Sequence, residues 1–349
     1  MPTTDEVDRS RVAYRADLHL GTRRFFHPRS TACPWCGSAD LRLRLRTTDL
    51  LQHKPGRFTL DECGGCGHVF QNPRLTAEGL EFYYRDFYDG LAAEQMDRQL
   101  EKEAGSHRAR AEVVLPHADP KSWLDVGTSH GHFCSAAAQL FPDTEFDGLD
   151  LGAGVELGRQ QGRIKRAYQG QFVDLADELT DRYDVVSMFH YLEHSAEPKP
   201  ELRAAQRVLR SGGHLLIDVP DPECRFARLL GRWWIGWTQP QHLHFIPLAN
   251  LRAELGRSGF DVVAVQRAEA HLPYDLAAAT WLFVNHLAPR QDRPWLFDRP
   301  GLGRRAGRLA ALIAGAPLML AGMLLDRVAQ PVADRLRLTN SYRVLAVRR

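Results

Sequence analysis

Lys121-Ser122-Trp123-Leu124, continued by Asp125-Val126-Gly127-Thr128-Ser129-His130-Gly131, is the stretch whose reading decides the fold. Its first half predicts a strand and its second half a glycine-rich turn that opens a helix. In an α/β sheet such a turn takes hold of an adenosyl cofactor. The strand carries an acid to the carboxyl edge, the glycines let the backbone approach the ligand, and the next helix points its N–H groups inward. The spacing Asp-x-Gly-x-x-x-Gly is not the Gly-x-Gly-x-x-Gly of nicotinamide enzymes, and no Lys-Ser/Thr follows the glycines, which excludes a nucleotide triphosphate loop. An ordinary strand-to-helix turn could use the same residues.

The chain downstream supports the first reading. Thr144 to Asp150 predicts a second strand ending in an acid about 20 residues after the glycines, where a doubly wound fold offers a carboxylate to ribose hydroxyls. Tyr183 to Phe189 and Gly213 to Val219 predict buried strands, and Glu201 to Arg210 has helical spacing. Strand and helix alternate, so the sheet is expected to be mostly parallel.

Asp125 to Gly131, Asp150, Tyr183 to Phe189 followed by His190-Tyr191-Leu192-Glu193-His194, and Arg207 to Gly213 together resemble the class I S-adenosylmethionine-dependent methyltransferases. The likeness covers roughly residues 105 to 270 and the last ten. It implies that Asp125, Gly127, Thr128 and Gly131 surround the methionine end of S-adenosylmethionine and that Asp150 holds its ribose. Gln171 and Phe172 would hold its adenine, with Phe189 completing the cofactor-binding set. It also implies a seven-stranded sheet closed by an antiparallel last strand, a part that Tyr342 to Val347 would play beside Gly259 to Val265.

With 349 residues, 44% hydrophobic and 25% charged, the chain can build one full core and smaller modules. A net charge of +2 gives no global basic field for nucleic acid. Met1 to Glu6 lacks a basic-then-apolar pattern, so a cytoplasmic location is expected. Four of the six cysteines form Cys33-Pro34-Trp35-Cys36-Gly37 and Cys63-Gly64-Gly65-Cys66-Gly67. Thiolates at this spacing in tight turns converge on one ion, which predicts a zinc ribbon with Cys33, Cys36, Cys63 and Cys66 as ligands of a structural Zn²⁺. Disulfides or a redox pair are the alternatives. Four thiolates leave no open position, and His68 is surplus.

Between the knuckles, Leu41 to Arg46 alternates strictly and predicts a strand with an apolar face and an arginine face. Thr76 predicts a helix cap, followed by Phe82, Tyr83, Tyr84, Phe87 and Tyr88, some of which are expected to wall the substrate site while others pack.

Methyl transfer needs an aligned nucleophile and a base to take its proton. His190, Glu193 and His194 follow the fourth strand, where His190 and His194 would share a face if the segment is helical. Some quinone-directed members of the superfamily hold a divalent ion on a similar Glu-x-x-Glu-His segment; this chain has His at its first position. A structural, helix-capping histidine is the alternative. Arg232 to Trp237 places three of the seven tryptophans before Gln239-Pro240-Gln241-His242-Leu243-His244, and these rings are expected to floor a substrate pocket, with core packing as the alternative. The segment is similar to the Tyr-His-Glu-His of the zinc-containing sugar C-methyltransferases, which implies His242 as a catalytic histidine. Gln241 replaces the glutamate, so an oxygen nucleophile deprotonated by His242 or His194 is expected over carbon. No Asn-Pro-Pro-Tyr follows the fourth strand, which disfavours methylation of nucleobase amino groups.

Leu309 to Leu325 is 17 residues without a charge, interrupted by Gly315-Ala316-Pro317. A chain that crossed a bilayer once could not return its last strand to the sheet, so an apolar helical pair is expected instead of a transmembrane helix. Arg290, Arg293, Arg299, Arg304, Arg305 and Arg308 stand before it against Asp292 and Asp298. Peripheral contact of residues 290–330 with an anionic membrane on its inner face, a lid and a dimer interface all suit this pattern.

The expected organisation is α/β: a polar tail over 1–30, a zinc ribbon over 31–72, a helical linker and lid over 73–116, and a doubly wound Rossmann-like domain over 117–349 with a helical insertion at 271–339. The expected function is methyl transfer to a hydroxyl, or a carbon, of a sugar, glycolipid or secondary metabolite, with a histidine as general base. An RNA methyltransferase using the ribbon for binding and a non-catalytic binding protein on the same fold are the alternatives.

Overall fold

Both faces of the central strands are apolar, and burial on both faces is what a parallel sheet between helices requires. The computed structural model describes residues 4–87, 104–288, 293–296 and 301–349. Ser122–Val126 (β1), Glu145–Asp150 (β2), Ala167–Gln169 (β3), Tyr183–Phe189 (β4), Leu209–Pro220 (β5), Phe260–Gln266 (β6) and Ser341–Arg348 (β7) form one sheet in the order β6-β7-β5-β4-β1-β2-β3. β1 pairs in parallel with β2 and β4, β2 with β3, and β4 with β5. Only β7 is reversed, antiparallel to both β5 and β6. Trp123, Leu124, Val185, Val186, Met188 and Leu215–Ile217 are wholly buried, whereas Val263 and Val265 on the edge strand β6 are exposed. The fold is thus the α/β Rossmann-like arrangement expected, including its antiparallel last strand.

The chain divides into two compact units. This sheet, with its helices, belongs to the unit made of 93–220, 246–271 and 341–349; the other unit is 1–92, 221–245 and 272–340. The strand order reverses between β1 and β4, so the crevice beyond their carboxyl ends is the ligand position of such a sheet.

The other unit contains a four-stranded antiparallel sheet in which Leu41–Thr47, Phe58–Cys63, Val69–Gln71 and His244–Phe245 lie side by side. Strict alternation in the first of these does not survive. The register with the second strand shifts between Leu43 and Leu45, and the bulge leaves Leu43 53% exposed while Arg44 turns in, 5.7 Å from the Trp237 ring and 3.3 Å from Glu62. Thr76 does cap the helix Ala77–Tyr84, its hydroxyl accepting from the Gly79 N–H at 3.1 Å. Phe82 and Tyr83 of that helix are core residues, packed with Tyr14, Phe25, Phe58 and Trp295, while Tyr88 lies outside the described residues. Lys54 is buried in the same place, where its ammonium donates to the carbonyls of Phe82, Tyr83 and Arg85.

Two helices, Asp275–Leu287 and Leu302–Ala329, pack along each other in this unit. The expected interruption at Gly315-Ala316-Pro317 is absent: the helix runs through Pro317. Gly315 faces the seam with Val284, and Pro317 is exposed. Arg290, Asp292, Asp298 and Arg299 lie outside the described residues.

Candidate functional site

Glycine conformations build the cofactor turn. Gly127 and Gly131 have φ of 77° and 74°, the left-handed region, and Ser129 between them has φ of 50°. A Cβ on Gly127 would also come within 2.9 Å of the Tyr191 ring. The turn is held against β2 by three hydrogen bonds, Gly127 N–H and Thr128 N–H to Leu149 O at 2.8 and 3.2 Å and Ser129 N–H to an Asp150 carboxylate oxygen at 2.8 Å. The second Asp150 oxygen accepts from the Gly152 N–H at 2.8 Å. Asp150 is thereby fixed in orientation at the carboxyl end of β2.

Asp125 stands one residue from the end of β1 and is 3% exposed. Ser187 of β4 donates to it at 2.5 Å and itself accepts from the Trp123 indole N–H at 2.9 Å. Burial pushes the Asp125 carboxyl up to about 7, against the lowering effects of Ser187, Thr128 and Arg110, and the nearby Asp150 adds to the rise. Thr128 is buried beside Cys134, Phe172 is wholly buried, and Gln171 is exposed at the start of the short helix Phe172–Leu175. Phe189 ends β4 with its ring 4.5 Å from that of Phe133 and 4.9 Å from the Arg110 guanidinium.

His190 to His194 form a turn, not a helix, so the shared helical face of His190 and His194 is not what relates them. His190 has φ of 49°, and its N–H donates to the Asp218 carbonyl on β5 at 2.9 Å. Its Nδ1 lies 3.0 Å from Oε1 of the buried Glu193, and His194 is half-buried at the end of the turn. Tyr191 and Ser195 both donate to Glu201, whose carboxyl burial raises to about 7.

Sequence reasoning passed over Ser187 and Arg110. Ser187 is a polar side chain flanked by Val185, Val186, Met188 and Phe189 in the buried part of its strand, which is the signal that it needs a buried partner. Arg110 belongs to an ion cluster no local pattern announces: Asp218 receives Arg343 at 2.6 and 3.0 Å and Arg110 at 3.1 Å, all three buried.

In the other unit, Cys33, Cys36, Cys63 and Cys66 bring their sulfurs within 4.8 Å of one another, with Cys33 to Cys66 at 3.8 Å and Cys36 to Cys63 at 3.5 Å. A tetrahedron with metal–sulfur bonds of about 2.3 Å has sulfur–sulfur edges of about 3.8 Å, so the four thiols fit one metal ion and are too far apart for disulfides. Gly37 and Gly67 turn each knuckle with positive φ, and a Cβ on Gly64 would strike the Asp40 carboxylate at 1.9 Å.

The tryptophan expectation is overturned for two rings. Trp234 and Trp237 are buried against Leu60, Val69, Phe226 and Phe245, and their N–H groups are satisfied internally by Asp275 and Gly231 O. Packing has won there because each indole finds both apolar walls and an acceptor. His242 is 8% exposed, with Nδ1 2.8 Å from Gly236 O; a proton on Nδ1 puts the lone pair on Nε2. His244 packs inward, stacked on His68 with Nδ1 to Nε2 at 3.0 Å.

Residues 93–265 match a family described as a methyltransferase domain. A ubiquinone biosynthesis O-methyltransferase of Pseudomonas paraeruginosa is 27% identical over 156 residues, 41% of this chain and 65% of that protein. The protein of the same description in Pseudomonas entomophila is 27% identical over 143 residues, 39% of this chain and 61% of its own length. This chain therefore spans less than two thirds of the curated relatives it matches. Among solved structures, a SAM-dependent methyltransferase from Archaeoglobus fulgidus is similar with a TM-score of 0.43 at 14% identity, over 69% of this chain and 92% of that one. Residues 93–265 are thus a methyltransferase domain, a family that implies S-adenosylmethionine as the methyl donor.

Proposed function

We propose that the chain transfers a methyl group from S-adenosylmethionine to a hydroxyl of a sugar, glycolipid or secondary metabolite, in the cytoplasm and without nucleic acid as a partner. The observation that supports this reading is the left-handed Gly127-to-Gly131 turn at the sheet's carboxyl edge, between Asp125 near the end of β1 and Asp150 at the end of β2, which the Ser129 N–H orients. The chemistry of this donor set suits the cofactor. Asp150 retains carboxylate lone pairs for ribose hydroxyls, and a carboxylate at Asp125 is a counter-charge for the cationic methionine end. The bound cofactor would supply an activated methyl; the protein contributes alignment and a proton acceptor.

Oxygen is favoured as the nucleophile. The Gln241 amide is buried and donates to Tyr83 O at 3.2 Å, so a structural amide stands where the sugar C-methyltransferases carry a glutamate. The relatives named above are O-methyltransferases, which supports the same choice. We assign proton removal to His194 or His242, with Glu193 orienting His190. The four cysteines would hold a structural Zn²⁺ in a ribbon, with no open position for catalysis.

Calorimetry of the full chain with S-adenosylmethionine and S-adenosylhomocysteine, followed by transfer of labelled methyl to glycan and lipid extracts, tests the proposal. Micromolar binding of both with label in an alkali-stable ether product is expected; absence of binding to either removes the reading.

A further inference from the structure

The helix Leu302–Ala329 is apolar nearly all round, a pattern that belongs to a buried core helix or to a helix in lipid. It is not a core helix. The most apolar 18-residue window within Leu302–Val332 has a mean hydropathy of 1.9, yet only 17% of that window is buried. A narrow seam touches the neighbouring helix Asp275–Leu287, where Gly315 admits Val284 and Gly322 admits the backbone of Ala277. The rest faces outward, with Ile313 65%, Leu318 62%, Leu320 65%, Leu324 64% and Val328 68% exposed. Trp281 and Phe283 of the partner helix are also exposed, and Trp233 packs edge-on against Phe283. Patches this extensive mark a partner or a membrane.

We propose that this helical hairpin docks the protein in the plane of an anionic lipid bilayer. Charge selects lipid over a second copy: the exposed Arg304 and Arg305 precede the uncharged stretch and Arg327, Arg335 and Arg337 follow it, against Asp326 and Asp334. Asp326 is buried, its carboxylate accepting the Leu276 and Ala277 N–H groups at 3.0–3.1 Å, so it does not oppose the basic rim. The two ends also exclude a crossing. Arg308 donates to Asn285, which itself donates to Leu50 O at 3.4 Å, and Asp326 anchors the other end beside Asp275, which accepts from Trp234. Both ends are therefore tied to one folded unit, whereas a span would carry them to opposite sides of about 30 Å of hydrocarbon. The partner helix, with 13 residues, is also short of the roughly 20 that a crossing needs. A helix lying in the interface, with arginines among headgroups and tryptophan at their level, meets every constraint.

Flotation of the full chain on phosphatidylcholine vesicles, with and without phosphatidylglycerol, tests this independently of catalysis. Recovery with the anionic vesicles is expected, falling with salt and by roughly five-fold for each arginine lost in Arg304→Gln and Arg305→Gln. The variant Ile313→Glu/Leu320→Glu/Leu324→Glu, on the exposed face, is expected to unfold at the wild-type temperature and remain with the soluble fraction. Wild-type protein left unbound by anionic vesicles overturns the inference, as does undiminished flotation of the triple variant. A wild-type dimer that the triple variant dissolves, without vesicle binding by either, assigns the face to a second copy and overturns it equally.

Discussion

The backbone N–H of Ser129 donates to the Asp150 carboxylate at 2.8 Å, joining the glycine turn after β1 to the end of β2. One acid thus orders the loop at the carboxyl end of β2, where the proposed function puts the ribose. Asp150→Ala is expected to lower affinity for S-adenosylmethionine and S-adenosylhomocysteine alike, by about 1.5–3 kcal/mol for lost charged hydrogen bonds, with little change in secondary structure. Calorimetry checks it, and unchanged affinity would remove Asp150 from the site.

Asp125 carries the pH prediction. Its folded-state value of about 7 lies above the unfolded value near 3.9, so the native state holds the proton more tightly. The contribution is present in full below about pH 4 and is lost as pH rises through about 7. Denaturant titrations from pH 4 to 8 should show the wild type losing stability relative to Asp125→Asn across that window; parallel curves would refute the assignment.

Zinc is expected in equimolar amount on the four cysteines. Cys36→Ser, or a strong chelator at neutral pH, should release it and unfold the knuckles, since structural zinc contributes on the order of 10 kcal/mol. Metal analysis and proteolysis within residues 31–72 are the readouts.

For the base, His194→Ala and His242→Ala are expected to keep cofactor affinity while turnover falls about a hundredfold or more in whichever supplies proton removal. Full rate in both variants would dismiss the histidine mechanism.

The Arg110–Asp218–Arg343 cluster is a stability test. Asp218→Ala leaves two buried guanidinium groups without their carboxylate and should cost about 3–5 kcal/mol, read as a fall in thermal midpoint. Arg108→Ala, whose partner Glu112 is exposed, should cost under about 0.5 kcal/mol.

Local chemistry determined much of this protein. The strands β1, β2, β4 and β5, the turn at Gly127 and Gly131, the Thr76 cap and the cysteine knuckles are each set by neighbours a few residues apart, through hydrophobic period, backbone freedom and ligand spacing, whereas the short β3 is not legible. Tertiary structure decided what local pattern cannot encode. Whether a tryptophan is wall or core depends on acceptors such as Asp275, 41 residues from Trp234. Alternation in Leu41 to Arg46 gave way to a bulge set by the partner strand, and Pro317 failed to end a helix whose seam lies on another side. The partners of Asp218 come from 108 and 125 residues away, and only the packed sheet brings them to one buried carboxylate.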